Sequence, residues 1–141
     1  MSRLEVVALH PDARVPARGT PMSAGLDLHA CENVVIPSLD YRLVRTGLAM
    51  TVPPGTYGRI APRSSLATKG IDVFAGVVDR DYTGEVKVLL MNHSNCNREF
   101  RVGDRIAQLI LERVDDAAEA VVVDALAPSA RGDGGFGSTG V

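Results

Sequence analysis

The sequence predicts an all-β protein. Two observations carry that reading: 14 glycines and 8 prolines punctuate the 141-residue chain, and between them lie short runs of β-branched residues rather than long stretches of helical period. Residues 4–9, 34–36 and 57–60, with Val52 between the last two, are such runs. Many short strands and little helix argue for a sandwich, a jelly roll or a closed barrel. No internal repeat is visible.

Taken in order, the clearest strand is residues 85–91, where Val86, Val88 and Leu90 alternate on one face while Glu85 and Lys87 begin the other. Residues 106–111 fit either period, because Ile106, Leu109 and Ile110 also have helical spacing; the shortness of the run and the Gly103-Asp104 turn before it favour a strand. The one helix expected is a turn or two after Pro62, with Ser64 as its cap and Gly70 as its stop. Residues 115–120 are too polar and brief to assign. Residues 124–130, with Pro128, read as a hinge between a core spanning residues 1–123 and a glycine-rich arm at residues 131–141.

A chain of 141 residues is expected to be one domain. A formal charge of −2 lacks the basic excess of a duplex-DNA binder, so no nucleic-acid partner is expected and any polyanion site must be local. Cys31 and Cys96 have no ligand spacing and are expected to be reduced packing residues; His10, His29 and His93 form no metal-binding cluster. No window approaches the roughly 18 apolar residues of a membrane span. The expectation is a soluble intracellular protein, cytoplasmic or nuclear, without a membrane partner.

The arm is the first candidate for chemistry. Its glycines let backbone N–H groups approach a phosphate, Ser138 and Thr139 add hydroxyls, Arg131 a bidentate cation and Phe136 a flat apolar face. Residues 132–137 match G-x-G-x-x-G, yet no strand precedes them and nothing after them reads as a helix. Residues 132–139 have Walker A spacing, but Ser138 stands where the lysine belongs. The tripeptide at residues 131–133 also spells an adhesion signal, and a glycine-rich terminus is by default disordered.

Within the core, GVVDRDYTGEV at residues 76–86 sets Asp79 beside Val77 and Val78, where partial desolvation would make it a better general base; the alternative is a hairpin turn whose aspartates solvate the loop. PRSSLATKG at residues 62–70 gathers Arg63, Ser64 and Ser65 at a helix start, all groups that bind phosphate oxygens and equally an ordinary cap. GDRIAQLIL at residues 103–111 embeds Gln108 in an apolar run, where its amide needs a hydrogen-bond partner from backbone or ligand. AGLDLHA at residues 24–30 sets Asp27 between Leu26 and Leu28, as a structural acceptor or an outer-shell group to a metal.

These motifs, followed by RGDGGFGSTG at residues 131–140, closely resemble in content and order those of the trimeric deoxyuridine triphosphate nucleotidohydrolases, the dUTPases. The resemblance runs from about Ala24 to Gly140. It implies a distorted jelly-roll or β-clip barrel with one short helix and a flexible C-terminal arm. It implies hydrolysis of dUTP to dUMP and pyrophosphate, which keeps uracil out of DNA and supplies dUMP for thymidylate synthesis. Asp79 would activate the water that attacks the α-phosphorus, with Mg²⁺ held by the triphosphate and Asp27 touching it through water.

By the same carry-over, Arg63, Ser64, Ser65, Gln108, Arg131, Ser138 and Thr139 would contact the phosphates, and Gly137 would belong to the substrate-binding residues of the arm. Tyr82 would pack on the deoxyribose, and Lys87 would lie near the substrate. Backbone groups around Val73, Phe74, Gly76, Val77 and Val78 would read the uracil edge, with Phe136 stacking over the base. The assembly implied is a homotrimer whose arm reaches a neighbouring subunit, each pocket being composed from three chains.

Two positions depart from the family pattern. Ser65 stands where glycine is usual, and Phe74 where a smaller residue is common. The related dCTP deaminases share the Arg-Ser-Ser-Leu-Ala spelling, but the positions of their pocket glutamate and second arginine hold Leu89 and Thr68. A non-catalytic nucleotide-sensing trimer is the remaining alternative, and retention of Asp79 and the arm argues against it.

Overall fold

The computed structural model describes residues 2–137. Its strands are β1 (Glu5–Ala8), β2 (Gly25–His29), β3 (Val34–Ile36), β4 (Tyr41–Thr51), β5 (Thr56–Ala61), β6 (Ile71–Phe74), β7 (Val77–Val78), β8 (Glu85–Asn92), β9 (Arg98–Phe100) and β10 (Arg105–Arg113), with one helix, α1 (Ser64–Ala67). One sheet runs β1-β4-β8-β6, a second β2-β10-β5-β7, and β3 pairs with β9. The fold is jelly-roll-like, as expected, with its sheets open rather than closed into a barrel.

Period-2 alternation builds the core. Val86, Val88 and Leu90 of β8 face inward with Val44, Leu48 and Met50 of β4, and meet Leu28, Ile60, Ala107 and Leu109 of the second sheet in one buried cluster. The same alternation sends Asp27 of β2 and Gln108 of β10 to the opposite face, where the register pairs them directly. Asn92, fully buried at the end of β8, stitches the small sheet to the large one. Its Nδ2 donates to the carbonyls of Ile36, Pro37 and Cys96 at 3.1, 3.2 and 2.8 Å.

Several expectations need correction. Val52 lies beyond the end of β4 rather than in a strand. Ser64 is not the helix cap: Arg63 occupies that position with extended backbone (ψ 139°) and no side-chain cap bond, so Ser64 is the first helical residue. The helix stops earlier than expected, at Ala67 with Thr68 as its C-cap, and Gly70, left-handed at φ +85°, ends the turn that follows. Cys31 is buried, but Cys96 is exposed and is no packing residue.

After β10 the chain carries no strand or helix among the described residues. Every side chain from Arg113 through Asp133 is exposed, including Val121, Val122 and Leu126.

Candidate active site

The first group of predicted residues surrounds a groove of about 410 Å³, lined by Phe74, Gly76, Val77, Val78, Asp79, Tyr82 and Lys87 together with Leu43, Ile60, Glu85 and Leu89. The groove exists because the chain changes sheets at its centre: β6 pairs with β8, whereas β7 pairs with β5. The corner between them is Ala75 and Gly76, both left-handed at φ 59° and 84°. Gly76 is required there, since a Cβ would stand 2.6 Å from the carbonyl oxygen of Ile60. Its own carbonyl accepts from Ile60 N at 2.7 Å, which pins the corner to β5.

The segment expected to read the uracil edge, residues 73–78, is therefore split between two sheets. Val73 does not line the groove; its side chain packs against the core. Phe74 is part-exposed, and its ring meets that of His93 edge to face at 6.0 Å.

Asp79 and Tyr82 are corners of one tight turn, the Tyr82 amide donating to the Asp79 carbonyl at 3.1 Å. Asp79 is exposed, contrary to the partial desolvation expected of it, because no element among the described residues covers the turn. It also borders a wider concavity of about 950 Å³ shared with Tyr57, Arg80 and Val114. Glu85, at the groove floor, receives the Arg45 guanidinium through two nitrogens (Nε at 3.0 Å, Nη2 at 3.0 Å), and this pairing holds its carboxyl below the usual range.

The second group gathers where β2, β10 and the start of α1 meet. Asp27 lies between two guanidiniums, 3.9 Å from Arg63 Nε and 3.6 Å from Arg105 Nη1. Arg63 also donates to the Arg105 carbonyl at 3.1 Å. The Gln108 amide donates to the Pro62 carbonyl at 2.9 Å, so its partner is backbone. Gly25 makes room for it, since a Cβ there would stand 2.4 Å from Gln108 Oε1. Ser64 and Ser65 open the helix beside this cluster, both exposed.

His29 closes the second group, its Nδ1 buried without a hydrogen-bond partner; burial first, then the Arg14 charge, lowers its pKa. One carboxylate among several guanidiniums leaves an excess of positive charge suited to a polyanion.

No hydrogen bond or ion pair joins the two groups among the described residues, and Arg63, Asp27 and Gln108 do not line the groove. Among the described residues of the arm, the bonds of Arg131, Gly132 and Gly134 stay within residues 129–134. Arg131 folds back to donate to the Gly134 carbonyl, Gly134 N returns a bond to the Arg131 carbonyl at 3.1 Å, and Phe136 is fully exposed. Gly137 follows at φ 82°. Ser138 and Thr139 lie outside the described residues.

Sequence reasoning missed Leu43, Glu85 and Arg105 as site residues, and met Leu89 only as the residue at the deaminases' glutamate position. Glu85 and Leu89 were available from the outer face of β8, which Lys87 shares. Leu43 needed the β4–β8 register that sets it opposite Leu89.

Among the described residues no three His, Cys, Asp or Glu side chains gather as a metal cage. A single carboxylate fits an ion that keeps its waters and arrives on substrate phosphates, the usual habit of Mg²⁺.

A jelly-roll-like chain with a groove of ligand size and a separate cation-rich cluster defines an all-β protein suited to a ligand that is part apolar and part polyanionic. The comparisons then fix the family. The dUTPase family model matches residues 11–140. The chain is 55% identical to the deoxyuridine 5'-triphosphate nucleotidohydrolase of Saccharomyces cerevisiae, over 97% of its own length and 94% of that protein's. It is 51% identical to the enzyme of the same name from Paramecium bursaria Chlorella virus 1, with 100% of both chains covered. Among solved structures it resembles the Staphylococcus bacteriophage 80alpha dUTPase with dUPNHPP, at a TM-score of 0.92 and 25% identity over 100% of both chains. The chain belongs to the dUTPase family.

Proposed function

We propose that the protein hydrolyses dUTP to dUMP and pyrophosphate, removing a precursor of uracil in DNA and supplying dUMP for thymidylate synthesis. The observation that carries this reading is the placement of Asp79 on a groove lined by the apolar Phe74, Val77, Val78 and Leu89 together with Tyr82, Glu85 and Lys87. Uracil presents acceptor, donor and acceptor along its edge, so main-chain groups at the corner of residues 73–78 match it without a charged side chain. Cytosine would leave buried polar atoms unpaired there, a mismatch worth roughly 10⁴ to 10⁵ in selectivity. Leu89 lines the groove and brings no carboxylate, which speaks against deamination of a cytosine base.

In the reaction, the Asp79 carboxylate takes a proton from a water whose oxygen bonds to the α-phosphorus, while the bond from that phosphorus to the bridging oxygen breaks and pyrophosphate leaves. Arg63, Ser64, Ser65 and Gln108 hold the phosphates, joined by Arg131, Ser138 and Thr139 of the arm, where Gly137 also contacts the substrate. Tyr82 walls the sugar, Lys87 adds a charge beside the substrate, and Phe136 stacks on the base. Bound on the triphosphate, Mg²⁺ would neutralise oxygen charge, with Asp27 holding one of its waters.

The working unit we propose is a homotrimer with shared sites. In one chain the cation cluster lines no part of the groove, the described arm residues Arg131, Gly132 and Gly134 bond within residues 129–134, and Val121, Val122 and Leu126 are left in solvent. In that assembly residues 1–123 form the core, residues 124–130 the hinge, and residues 131–141 an arm closing over a neighbour's pocket. Pyrophosphate release measured with dUTP, dTTP, dCTP and UTP in Mg²⁺, beside a native mass, tests reaction, specificity and assembly together. Release confined to dUTP by a trimer is expected; release from dTTP or UTP at a comparable rate overturns the specificity.

A further inference from the structure

Gly84 stands against the ring of Tyr82. A Cβ built on Gly84 would lie 2.8 Å from Tyr82 Oη, 2.9 Å from Cζ and 3.2 Å from Cε2, closer than side chains pack. The backbone at Gly84 is not left-handed, so its conformation is open to any L residue. What glycine supplies at this position is space for the ring.

The ring is held from its other sides as well. Its hydroxyl donates to the Glu85 carbonyl at 2.6 Å, and its backbone amide to the Asp79 carbonyl at 3.1 Å. Glu85 is itself fixed, because its carboxylate receives Arg45 through two nitrogens and the Gly47 amide at 3.3 Å. The hydroxyl proton is thus committed within the turn, and the aromatic carbon surface is what Tyr82 brings to the groove. A 2'-hydroxyl brought against such a wall would lose water and find no donor there.

We propose that Gly84 is a specificity-determining positioning residue: its missing side chain lets Tyr82 settle onto the Glu85 carbonyl, and that placement sets how strictly the site rejects a ribose. The inference rests on the reading of Tyr82 as the sugar wall. A Cβ at position 84 forces the tip of the ring to yield by roughly half an ångström or more, away from the position in which its hydroxyl reaches the Glu85 carbonyl.

The test is the ratio of kcat/KM for dUTP to that for UTP, measured on the full-length protein, Gly84→Ala, Tyr82→Ala and the double variant. Gly84→Ala is expected to lower the ratio at least about tenfold, the scale of a misplaced wall group. Added to Tyr82→Ala it should lower the ratio no further, because both act through one ring. If Tyr82→Ala collapses the ratio and Gly84→Ala leaves it at the wild-type value, Gly84 has no positioning role and the sugar-wall reading survives. A ratio unchanged in Tyr82→Ala overturns both. Should Gly84→Ala fail to fold by circular dichroism, Tyr82→Phe decides the matter, since it removes only the anchoring hydroxyl: a lowered ratio supports the anchor, and an unchanged one removes it.

Discussion

The Tyr82 amide donates to the Asp79 carbonyl across 3.1 Å, so the proposed base and the proposed sugar wall move as one rigid turn. The turn hangs from β8 through Glu85 and from β5 through Gly76, and both anchors are made by the core rather than by the loop. Geometry at the rim of the groove is therefore inherited from strand register.

Gly25→Ala should weaken substrate binding without touching substrate. The new Cβ meets Gln108 Oε1 at 2.4 Å, so the amide must leave the Pro62 carbonyl and the helix start it marks. One displaced hydrogen bond to a charged phosphate corresponds to about tenfold in KM for dUTP. Steady-state kinetics on the variant checks this; an unchanged KM would show that Gln108 is structural only.

Asn92→Ala should be the costly core change. It strips a donor from the Ile36, Pro37 and Cys96 carbonyls in a fully buried site, a loss of about 2 to 3 kcal/mol. Urea unfolding at fixed protein concentration reads it as a lower midpoint.

Acid sensitivity should trace in part to Glu85. Arg45 holds its carboxyl below the ordinary value of 4.5, so the stability this pair contributes is present above that value and is lost as pH falls through the depressed pKa. Glu85→Gln should be less stable at neutral pH and should show a flatter decline below about pH 4.5. Denaturation midpoints across pH 3 to 7 measure both slopes; parallel curves would exclude the pair.

Removing residues 131–141 should abolish most dUTP turnover, by about 10²-fold or more, because positioning groups are lost while the core is untouched. The oligomeric mass, less the missing segment, should be unchanged. Full turnover in the truncated protein would end the lid reading.

Much of this was legible in the sequence where alternation is clean. Residues 85–91 gave both the strand and its buried face, and the motif residues around Asp27, Arg63, Asp79 and Gln108 fall on or beside the two groups observed. The strand β4 was not legible: its register shifts between Arg45 and Leu48, and Gly47 through Met50 are all buried, which breaks the two-residue period. Arg105 and Leu43 acquire their places only from partners far along the chain. The exposure of Asp79 was equally out of reach, since it depends on which distant elements cover the turn, and among the described residues none does.

Asp79 is the centre of the account, and substitution by asparagine keeps its shape while removing its basicity. Asp79→Asn should bind dUTP within about threefold of the wild type and release pyrophosphate roughly 10³-fold more slowly, the range expected for loss of a general base. Pyrophosphate release at the wild-type rate by that variant would contradict the assignment of Asp79 as base.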